Sequence, residues 1–405
     1  MPTSVSLRWI AVSVFVLSST LNYLDRGLLA ALAQLIMTDF NFNQTGYAWL
    51  ISAFSITYAL SSLGAGWALD RFGVNRSIYA AVTWWSSAAV GTGLVSGFAC
   101  LGICRSALGI GESAGVSAVG KLNAFYLKPE ERALGAALNQ IGISVGGSLA
   151  AYWGIAAAAA HGWRWPFMVA GLCGFAWIPL WWFVSRAIPS QFSQTEKRGG
   201  KPSFAIFRDR NLLILVIGNL LWMGSYSLWS NWTTLYLIHV HHITLQQSKN
   251  YAWIPPLISN AGGFFGGWLS LRWAKKTADP IAARLRAVWV SALCSLITLA
   301  LPFAVDARWA TVLISASFFF ALAGSVNIYA LPIDIYGAKR SGMALAALTC
   351  SYGLLQSVIS PIIGYLSDHK LYTQVIWLVT VPLILSALVL QGLKVPIEFA
   401  ADSRR

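Results

Sequence analysis

Charged residues are scarce in this chain of 405 residues, and acidic ones are the scarcest. Only 10% of the residues are charged, 28 of them basic and 14 acidic, whereas a soluble domain carries roughly a quarter. Hydrophobic residues make up 57%, and the mean hydropathy is +0.62. A soluble protein of this size needs a polar surface that this composition does not supply. The shortage of charge therefore excludes a soluble globular fold and indicates that lipid is the solvent.

Cysteine is also rare, and its spacing excludes the common metal sites. The chain has five cysteines, all in apolar runs: Cys100, Cys104, Cys173, Cys294 and Cys350. None has the spacing of zinc ligands. Three histidines cluster at residues 239–242, but no cysteine or acidic residue accompanies them, and a solvated loop is the favoured interpretation. The sequence therefore predicts no metal and no cofactor.

What the chain does have is long apolar runs. A helix needs about 20 apolar residues to cross the hydrocarbon core, and backbone groups in lipid must pair within the helix. The sequence predicts twelve such helices: Leu7–Met37, Tyr47–Leu69, Ser77–Ser96, Ala99–Tyr126, Ala133–Ala160, Trp165–Ser185, Asn211–Ile238, Tyr251–Leu271, Leu285–Ala304, Trp309–Ile335, Gly342–Leu366 and Thr373–Leu393. The fold class predicted is an all-α, multi-pass membrane protein.

The basic residues are distributed unequally between the two sides of the membrane. Of the 28, three lie within the predicted spans and four fall in outer loops, which leaves 21 on the side of the termini. Cytoplasmic loops carry the excess of lysine and arginine, so both termini are predicted to be cytoplasmic. The bases are spread over short loops rather than gathered on one face, so we expect no nucleic-acid partner.

The longest polar break divides the predicted spans into six and six. Residues 187–210 read as a cytoplasmic linker, which predicts one six-helix bundle at 1–186 and another at 211–405. A short repeat supports this division, because Gly66-Trp67 with Arg71 returns 201 residues later as Gly267-Trp268 with Arg272. Two parallel six-helix repeats, related by pseudo-symmetry, are a known transporter architecture.

Pairs of glycines four residues apart indicate close helix packing or a general tolerance of glycine in lipid. The pairs are Gly142 with Gly146, Gly262 with Gly266 and Gly263 with Gly267. Such pairs let helix backbones approach each other. The sequence alone leaves both interpretations open.

Ionisable side chains inside the predicted spans are few, and each costs several kcal/mol unless it is paired or hydrated. The first span contains Asp25 and Arg26, and the fourth contains Arg105 and Glu112, with Lys121 nearer the inner end. At 1.5 Å per residue, Asp25 and Arg26 lie in the outer half and Glu112 close to the midplane. Either these residues handle substrate and protons, or they form structural pairs such as Arg105 with Glu112.

A proton and an organic anion could be coupled through these groups. A low-dielectric environment favours the protonated form of a carboxyl group, whereas a nearby guanidinium favours the ionised form. The guanidinium of arginine can also donate two parallel hydrogen bonds to a carboxylate. An anion would compete with Asp25 and Glu112 for Arg26, and protonation would release Arg26. Asn22 and Tyr23 lie four and three residues before Arg26 and share its helix face.

Further polar side chains in the spans are candidates to complete a binding site. They are Tyr58, Asn139, Gln140, Tyr226, Asn231, Asn327, Tyr329 and Gln356. The stretch Gly111–Gly115 fits the G-x-S-x-G pattern of hydrolases, but that pattern needs a strand and a sharp turn, whereas this stretch is predicted in mid-helix. An enzyme would need a nucleophile with its base, or a metal, within lipid, and we find neither. The sequence therefore predicts no enzyme.

Two sets of residues resemble a known family. Gly66-x-x-x-Asp70-Arg71-x-Gly73-x-x-Arg76 is similar to the loop signature of the major facilitator superfamily. Asn22-Tyr23-x-Asp25-Arg26, Arg105-x-x-x-Gly109-x-Gly111-Glu112 and Pro129-Glu130-Glu131-Arg132 resemble its anion:cation symporter branch, which includes hexuronate and galactonate carriers. The chain departs from that branch at Ala114 and Ser117 in the fourth span, at Leu271, and at Cys350 and Leu354 in the eleventh.

The resemblance implies the major facilitator fold and alternating access, with protons as the coupling ion. It implies proton handling by Asp25 and Glu112, and substrate contact by Tyr23, Arg26, Tyr58 and Gln140. Arg105 and the loop residues Asp70, Arg71 and Arg76 are expected to have structural or gating roles. The function expected is proton-coupled import of a small organic anion by a monomer in a bacterial inner membrane. The alternatives are a proton-driven exporter and, in another class, a membrane-embedded enzyme.

Overall fold

The computed structural model describes residues 3–128, 131–187, 204–277 and 279–393, which fold into helices and short connections. The first half contains α1 Thr3–Phe40, α2 Gln44–Phe72, α3 Val74–Leu94, α4 Phe98–Glu112, α5 Gly115–Tyr126, α6 Arg132–Leu149, a π-helical turn Ala150–Gly154, α7 Ile155–His161 and α8 Arg164–Ala187. The second contains a 3₁₀ turn Phe204–Arg208, α9 Arg210–His241, α10 Leu245–Ser248, α11 Ile254–Thr277, α12 Pro280–Ser295, a 3₁₀ segment Leu296–Phe303, α13 Ala307–Asp368 and α14 Tyr372–Leu390.

Each of the twelve predicted spans coincides with helix in the described residues. Eight helical stretches are long and apolar enough to cross a membrane by length and composition alone. The other four predicted spans are formed by α2, α3, α11 and the pair α4 and α5. The last two are individually short, with 15 and 12 residues.

The fourth predicted span is not one continuous helix, which corrects the sequence-based expectation. The helix is interrupted at Ser113 and Ala114, directly after Glu112. The Ser113 hydroxyl donates to the carbonyl of Ile110 at 2.7 Å, a local bond that competes with the regular ladder. Glu112 is therefore the last residue of α4.

Glycines in the left-handed region of φ form sharp turns between consecutive spans. Gly73 has φ 80° and ψ 161° between α2 and α3, and Gly337 has φ 68° and ψ 169° inside α13, where the tenth and eleventh spans meet. A side chain at such a φ costs on the order of 1 kcal/mol or more. Gly73 of the loop signature thus lies at a position whose positive φ favours glycine.

Helix starts are fixed by side chains that accept backbone N–H groups. Asn43 caps α2 by accepting from Gly46, and Asp279 caps α12 by accepting from Ala282 at 3.0 Å. Pro280 follows as the first residue of α12, a position where a missing N–H costs nothing.

Two of the three glycine pairs lie at close helix contacts, which is one of the two interpretations that the sequence left open. A Cβ atom at Gly146 would collide with the carbonyl oxygen of Thr20 on α1, and Gly142 lies against the same helix. Gly262 and Gly266 lie against α13 in the same way, whereas a Cβ at Gly267 meets nothing within 4 Å.

Large aromatic side chains fill the interior of each half. In the first half, Trp177 and Trp181 of α8 stack with 5.7 Å between ring centroids, and Phe15 of α1 meets both edge-on. In the second, Trp222 is fully buried, and its indole N–H donates to the carbonyl of Ala321 at 2.8 Å.

The described residues form two compact units. One takes in the described residues of Met1–Arg198 together with Asn231–Leu257, and the other those of Gly199–Ser230 and Ile258–Arg405. Within the first unit, the Tyr47 hydroxyl donates to the carbonyl of Asn231 at 2.7 Å, and the Ser148 hydroxyl to that of Trp253 at 2.9 Å. Residues 188–203 of the predicted linker lie outside the described residues, and the predicted bundle limits stay a prediction.

Candidate functional site

Arg26 of α1 and Glu112 of α4 form an ion pair inside the first unit. The Nε–H group of Arg26 donates to Oε2 of Glu112. The carboxylate has no exposed surface, whereas 22% of the Arg26 side chain is exposed. Two residues that are 86 positions apart in sequence therefore meet because α1 and α4 belong to one bundle, and the arginine alone keeps contact with solvent-accessible space.

Three aromatic rings surround the guanidinium of Arg26. Its Cζ atom lies 4.9 Å from the ring centroid of Tyr23, 4.8 Å from that of Phe54 and 4.6 Å from that of Tyr58. Phe54 and Tyr58 lie one turn apart on α2 and stack at 5.7 Å. The ring faces attract the cation and cover part of its surface. We call Tyr23, Phe54 and Tyr58 the aromatic cage.

Three buried polar atoms beside this pair have no hydrogen-bond partner of regular geometry among the described residues. They are Nδ2 of Asn22, Oδ1 of Asp25 and Oε1 of Glu112. The Asn22 side chain lies near enough to the Glu112 carboxylate for a weak hydrogen bond, and Asp25 interacts with Glu112 as a like charge. Buried polar groups are nearly always satisfied in proteins, so this concentration marks a place for a proton, water or a ligand.

Arg105 is placed differently from the predicted structural pair with Glu112. Its Nη2 donates to the hydroxyl of Thr92 on α3 at 2.9 Å, and its Cζ lies 5.4 Å from the ring of Phe167. Among the described residues, no hydrogen bond or ion pair joins it to Glu112, which lies seven residues further along α4 and pairs with Arg26 instead. Arg105 interacts with Asp25 and Glu112 through its charge. It thus supplies a buried positive charge near both acids.

The other predicted binding residues do not all gather at this place. Gln140 is half-buried on α6. Tyr226 belongs to the second unit, where its ring meets Phe318 at 5.3 Å, and Tyr329 lies against the same apolar core. Asn231 lies in the first unit and accepts from Tyr47 through its backbone carbonyl. Their roles stay predictions.

Three further polar candidates, Asn327, Asn139 and Gln356, are buried or partly buried away from Arg26 in sequence. Asn327 is fully buried and donates to the carbonyls of Gly266 and Ala323, which commits its amide to packing α11 against α13. The Oδ1 atom of Asn139 is buried without a partner among the described residues, and Gln356 is buried on α13. Cys350 also lies on α13, and its side chain is half-buried.

The loop-signature residues lie at the turn between α2 and α3. Arg71 and Arg76 are exposed on either side of Gly73. The side chain of Asp70 lies outside what the structure describes, as do Pro129 and Glu130 of the motif before α6. In the described part of that motif, Glu131 pairs with Arg8 of α1 at 3.4 Å.

Sequence reasoning missed Phe54, because a phenylalanine in an apolar helix carries no signal of its own. It also missed the Arg8–Glu131 pair and two further ion pairs away from the cage. Arg284 of α12 pairs with Asp334 of α13, and Arg164 of α8 pairs with Asp39 of α1 at 2.9 Å. Both bases had been counted as loop residues, and the acids at helix ends gave no pattern to connect them.

Related proteins support the fold described above. The sequence pattern of the Major Facilitator Superfamily matches residues 15–327. A probable sulfoacetate transporter of Cupriavidus necator is 26% identical over 389 residues, which cover 91% of this chain and 89% of that protein. The hexuronate transporter of Escherichia coli K12 is 23% identical over 382 residues, covering 89% and 88%.

Solved structures agree at the level of the fold. A bacterial homologue of the human lysosomal transporter Spinster, in an inward-facing and occupied conformation, superposes with a TM-score of 0.74 at 18% identity and covers 95% of this chain and 96% of its own. A D-xylose–proton symporter superposes with a TM-score of 0.73 at 16% identity, covering 95% and 97%. The twelve helical spans and the matched family pattern lead to the same conclusion. The chain belongs to the major facilitator superfamily and is an all-α membrane transporter, as its loop signature had indicated.

Proposed function

We propose that this transporter is a symporter that imports a small organic anion together with protons by alternating access. The observation that carries the proposal is the Arg26–Glu112 pair, enclosed by the aromatic cage and bordered by unpartnered polar atoms. Relatives named as transporters of sulfoacetate, hexuronates and galacturonate support the anionic class of substrate.

Arg26 is suited to bind an anion because only one edge of its guanidinium is engaged. Glu112 occupies Nε, and no hydrogen bond within the described part of the chain engages the two Nη atoms. A guanidinium edge can donate two parallel hydrogen bonds to a carboxylate or sulfonate. The cage covers part of the cation and lowers the local dielectric, which strengthens its attraction for an anion.

Protonation of Glu112 supplies the coupling in this proposal. An ionised Glu112 competes with the substrate for Arg26, and a protonated one no longer does. A buried arginine that loses its partner costs several kcal/mol, so the proton and the substrate anion are favoured together. Proton and anion then cross in the same direction.

Asp25 is proposed as the second proton carrier. Its side chain is 1% exposed, and its Oδ1 accepts no hydrogen bond from the described residues. It interacts with Glu112 as a like charge and with Arg105 as an opposite one. Two acids that share one basic neighbourhood cannot both hold full negative charge cheaply, so proton uptake at one affects the other.

We also propose the bacterial inner membrane as the location, both termini in the cytoplasm and a monomeric transporter. The bacterial relatives support the choice of membrane. The excess of basic residues on the side of the termini supports the orientation. A monomer is proposed because one chain already supplies both predicted bundles.

Uptake by the purified protein in liposomes tests the function. Labelled hexuronates, galactonate and sulfoacetate are offered outside, with the exterior acidic or at equal pH. We expect at least one of these anions to accumulate above equilibrium only with the proton gradient. Gradient-driven extrusion of a non-anionic compound, with no pH-dependent anion uptake, would instead favour a proton-driven exporter.

A further inference from the structure

The last turns of α11 carry three basic residues on one helix face. Arg272, Lys275 and Lys276 are all exposed, and their spacing of three and four residues aligns them. They lie within roughly 6 Å of helix length. The same face continues toward the membrane interior with exposed Trp268 and Phe264, each with 51% of its surface accessible. We call these five residues the α11 stripe.

The bases of the α11 stripe have no carboxylate partner in the described part of the second half. Within the described residues, none of the three bases forms an ion pair. On the same side of the second half, the described acids have other partners: Asp209 accepts from Asn211, Asp279 caps α12, and Asp334 pairs with Arg284. Like charges at i and i+4 repel each other, so a bound anion would relieve the repulsion between Arg272 and Lys276.

The internal repeat shows how the stripe differs from its counterpart. The position that holds Asp70 in the first half holds Leu271 in the second, whereas Arg71 returns as Arg272. Leu271 is exposed, and two lysines follow where the first half has only Arg76 nearby. The second copy has therefore exchanged an acid for an aliphatic side chain and gained positive charge.

We propose that the α11 stripe binds an anionic phospholipid of the leaflet on the side of the termini. Arg272, Lys275 and Lys276 hold the headgroup phosphate, and an acyl chain lies along Trp268 and Phe264. The Arg272 guanidinium already lies 5.4 Å from the ring centroid of Trp268, which places cation and aromatic side chain together at the depth where headgroups meet hydrocarbon. Basic clusters next to a membrane helix attract anionic lipids.

Native mass spectrometry of the full-length purified protein, titrated with phosphatidylglycerol, tests the proposal. The variant carries Arg272→Gln, Lys275→Gln and Lys276→Gln. Each basic residue contributes about fivefold to binding of an anionic membrane surface, so we expect affinity to fall on the order of 100-fold. Binding of zwitterionic phosphatidylethanolamine should not change.

The matched control removes the same charge elsewhere, with Lys249→Gln, Arg308→Gln and Lys370→Gln in the predicted outer loops. Equal losses of phosphatidylglycerol binding in both triple variants would overturn the site, because net charge alone would then explain the effect. Full competition by millimolar inorganic phosphate would likewise overturn a lipid site and indicate a phosphate site.

A second variant keeps all three bases, in case the triple variant fails to fold. Leu271→Asp restores the acid of the first repeat at an exposed position. We expect it to weaken phosphatidylglycerol binding about tenfold while the thermal unfolding temperature stays the same. Unchanged binding in Leu271→Asp would contradict the role of uncompensated charge.

Discussion

At the scale of single residues, Arg26 connects the groups that the proposed transport cycle requires. It donates to Glu112, lies against three aromatic rings and keeps one edge open. Most of the desolvation cost of a buried guanidinium is already met in this structure. Exchanging the Glu112 carboxylate for a substrate carboxylate therefore replaces one anion by another, at a much smaller cost than creating a buried charge pair.

The substitution Glu112→Gln should separate proton coupling from substrate movement. Glutamine has the shape of a protonated glutamate but cannot ionise, so Arg26 would no longer be held by a competing charge. We expect the loss of proton-driven accumulation, with exchange of labelled for unlabelled substrate retained. Both are measured as liposome uptake, with and without a pH gradient.

The substitution Arg26→Ala provides the comparison for this experiment. It removes the anion-binding group itself, so we expect both accumulation and exchange to be lost. Arg308→Ala, at an exposed site in a predicted outer loop, serves as the control for loss of one positive charge. Full accumulation by Arg26→Ala would refute its role in substrate binding.

Phe54→Leu tests the aromatic cage. Leucine keeps the apolar volume but removes the ring face, and a desolvated cation–π contact contributes about 1–2 kcal/mol. We expect the KM for the anion to rise roughly 5- to 30-fold, with the pH dependence of uptake preserved. Phe183→Leu, on an exposed face of α8, is the matched control. An unchanged KM in Phe54→Leu would exclude the ring from substrate binding.

The charged residues of the site could be predicted from the sequence, whereas its aromatic side could be predicted only in part. Arg26 and Glu112 are conspicuous because charge in lipid is costly, and Tyr23 follows from helix spacing. Phe54 is one of 20 phenylalanines and is distinguished only by its three-dimensional position. The partner of Glu112 was uncertain because sequence spacing within one helix favoured Arg105, and contacts between helices cannot be derived from spacing.

At the scale of helices, two adjacent glycines can differ in whether they pack against another helix. Gly266 lies directly against the backbone of Ala323 on α13, while Gly267, the next residue, faces open space. The sequence showed both in overlapping pairs and could not tell which faced a helix. The difference follows from the 100° turn between successive residues.

Gly266→Ala and Gly267→Ala form a matched pair that measures this packing. A Cβ at Gly266 forces α11 away from α13 and disturbs the Asn327 bond to the Gly266 carbonyl. We expect Gly266→Ala to lower the free energy of unfolding by about 1–3 kcal/mol. Gly267→Ala should be neutral or slightly stabilising. Thermal unfolding in detergent compares them, and equal midpoints would contradict the close approach.

At the scale of the whole molecule, the distribution of charge predicts the orientation in the membrane. Six spans on each side of residues 187–210 follow from apolar length, and the helices are found where these spans predicted them. The composition of residues 231–257 did not reveal that they belong with the first compact unit, because their contacts join positions about 100 to 180 residues apart.

Reporter fusions test the predicted orientation. Alkaline phosphatase is active only outside the cytoplasm, and a fluorescent protein that folds only inside reports the opposite. Fusions after Leu393 should be fluorescent and lack phosphatase activity, whereas fusions after His242, between α9 and α10, should show the reverse. Phosphatase activity after Leu393 would invert the assignment of both termini.

The π-helical turn at Ala150–Gly154 has a consequence for the whole fifth span. A π turn holds more residues than an α turn, so a regular helical wheel drawn through this span misplaces everything beyond Gly154 by about one residue, or 100°. Gly146, Ala150 and Gly154 face Thr20, Gly27 and Leu28 in turn, and all three positions stay aligned on α1. The widened turn therefore lies within one continuous line of contacts along α1, the helix that also carries Asp25 and Arg26.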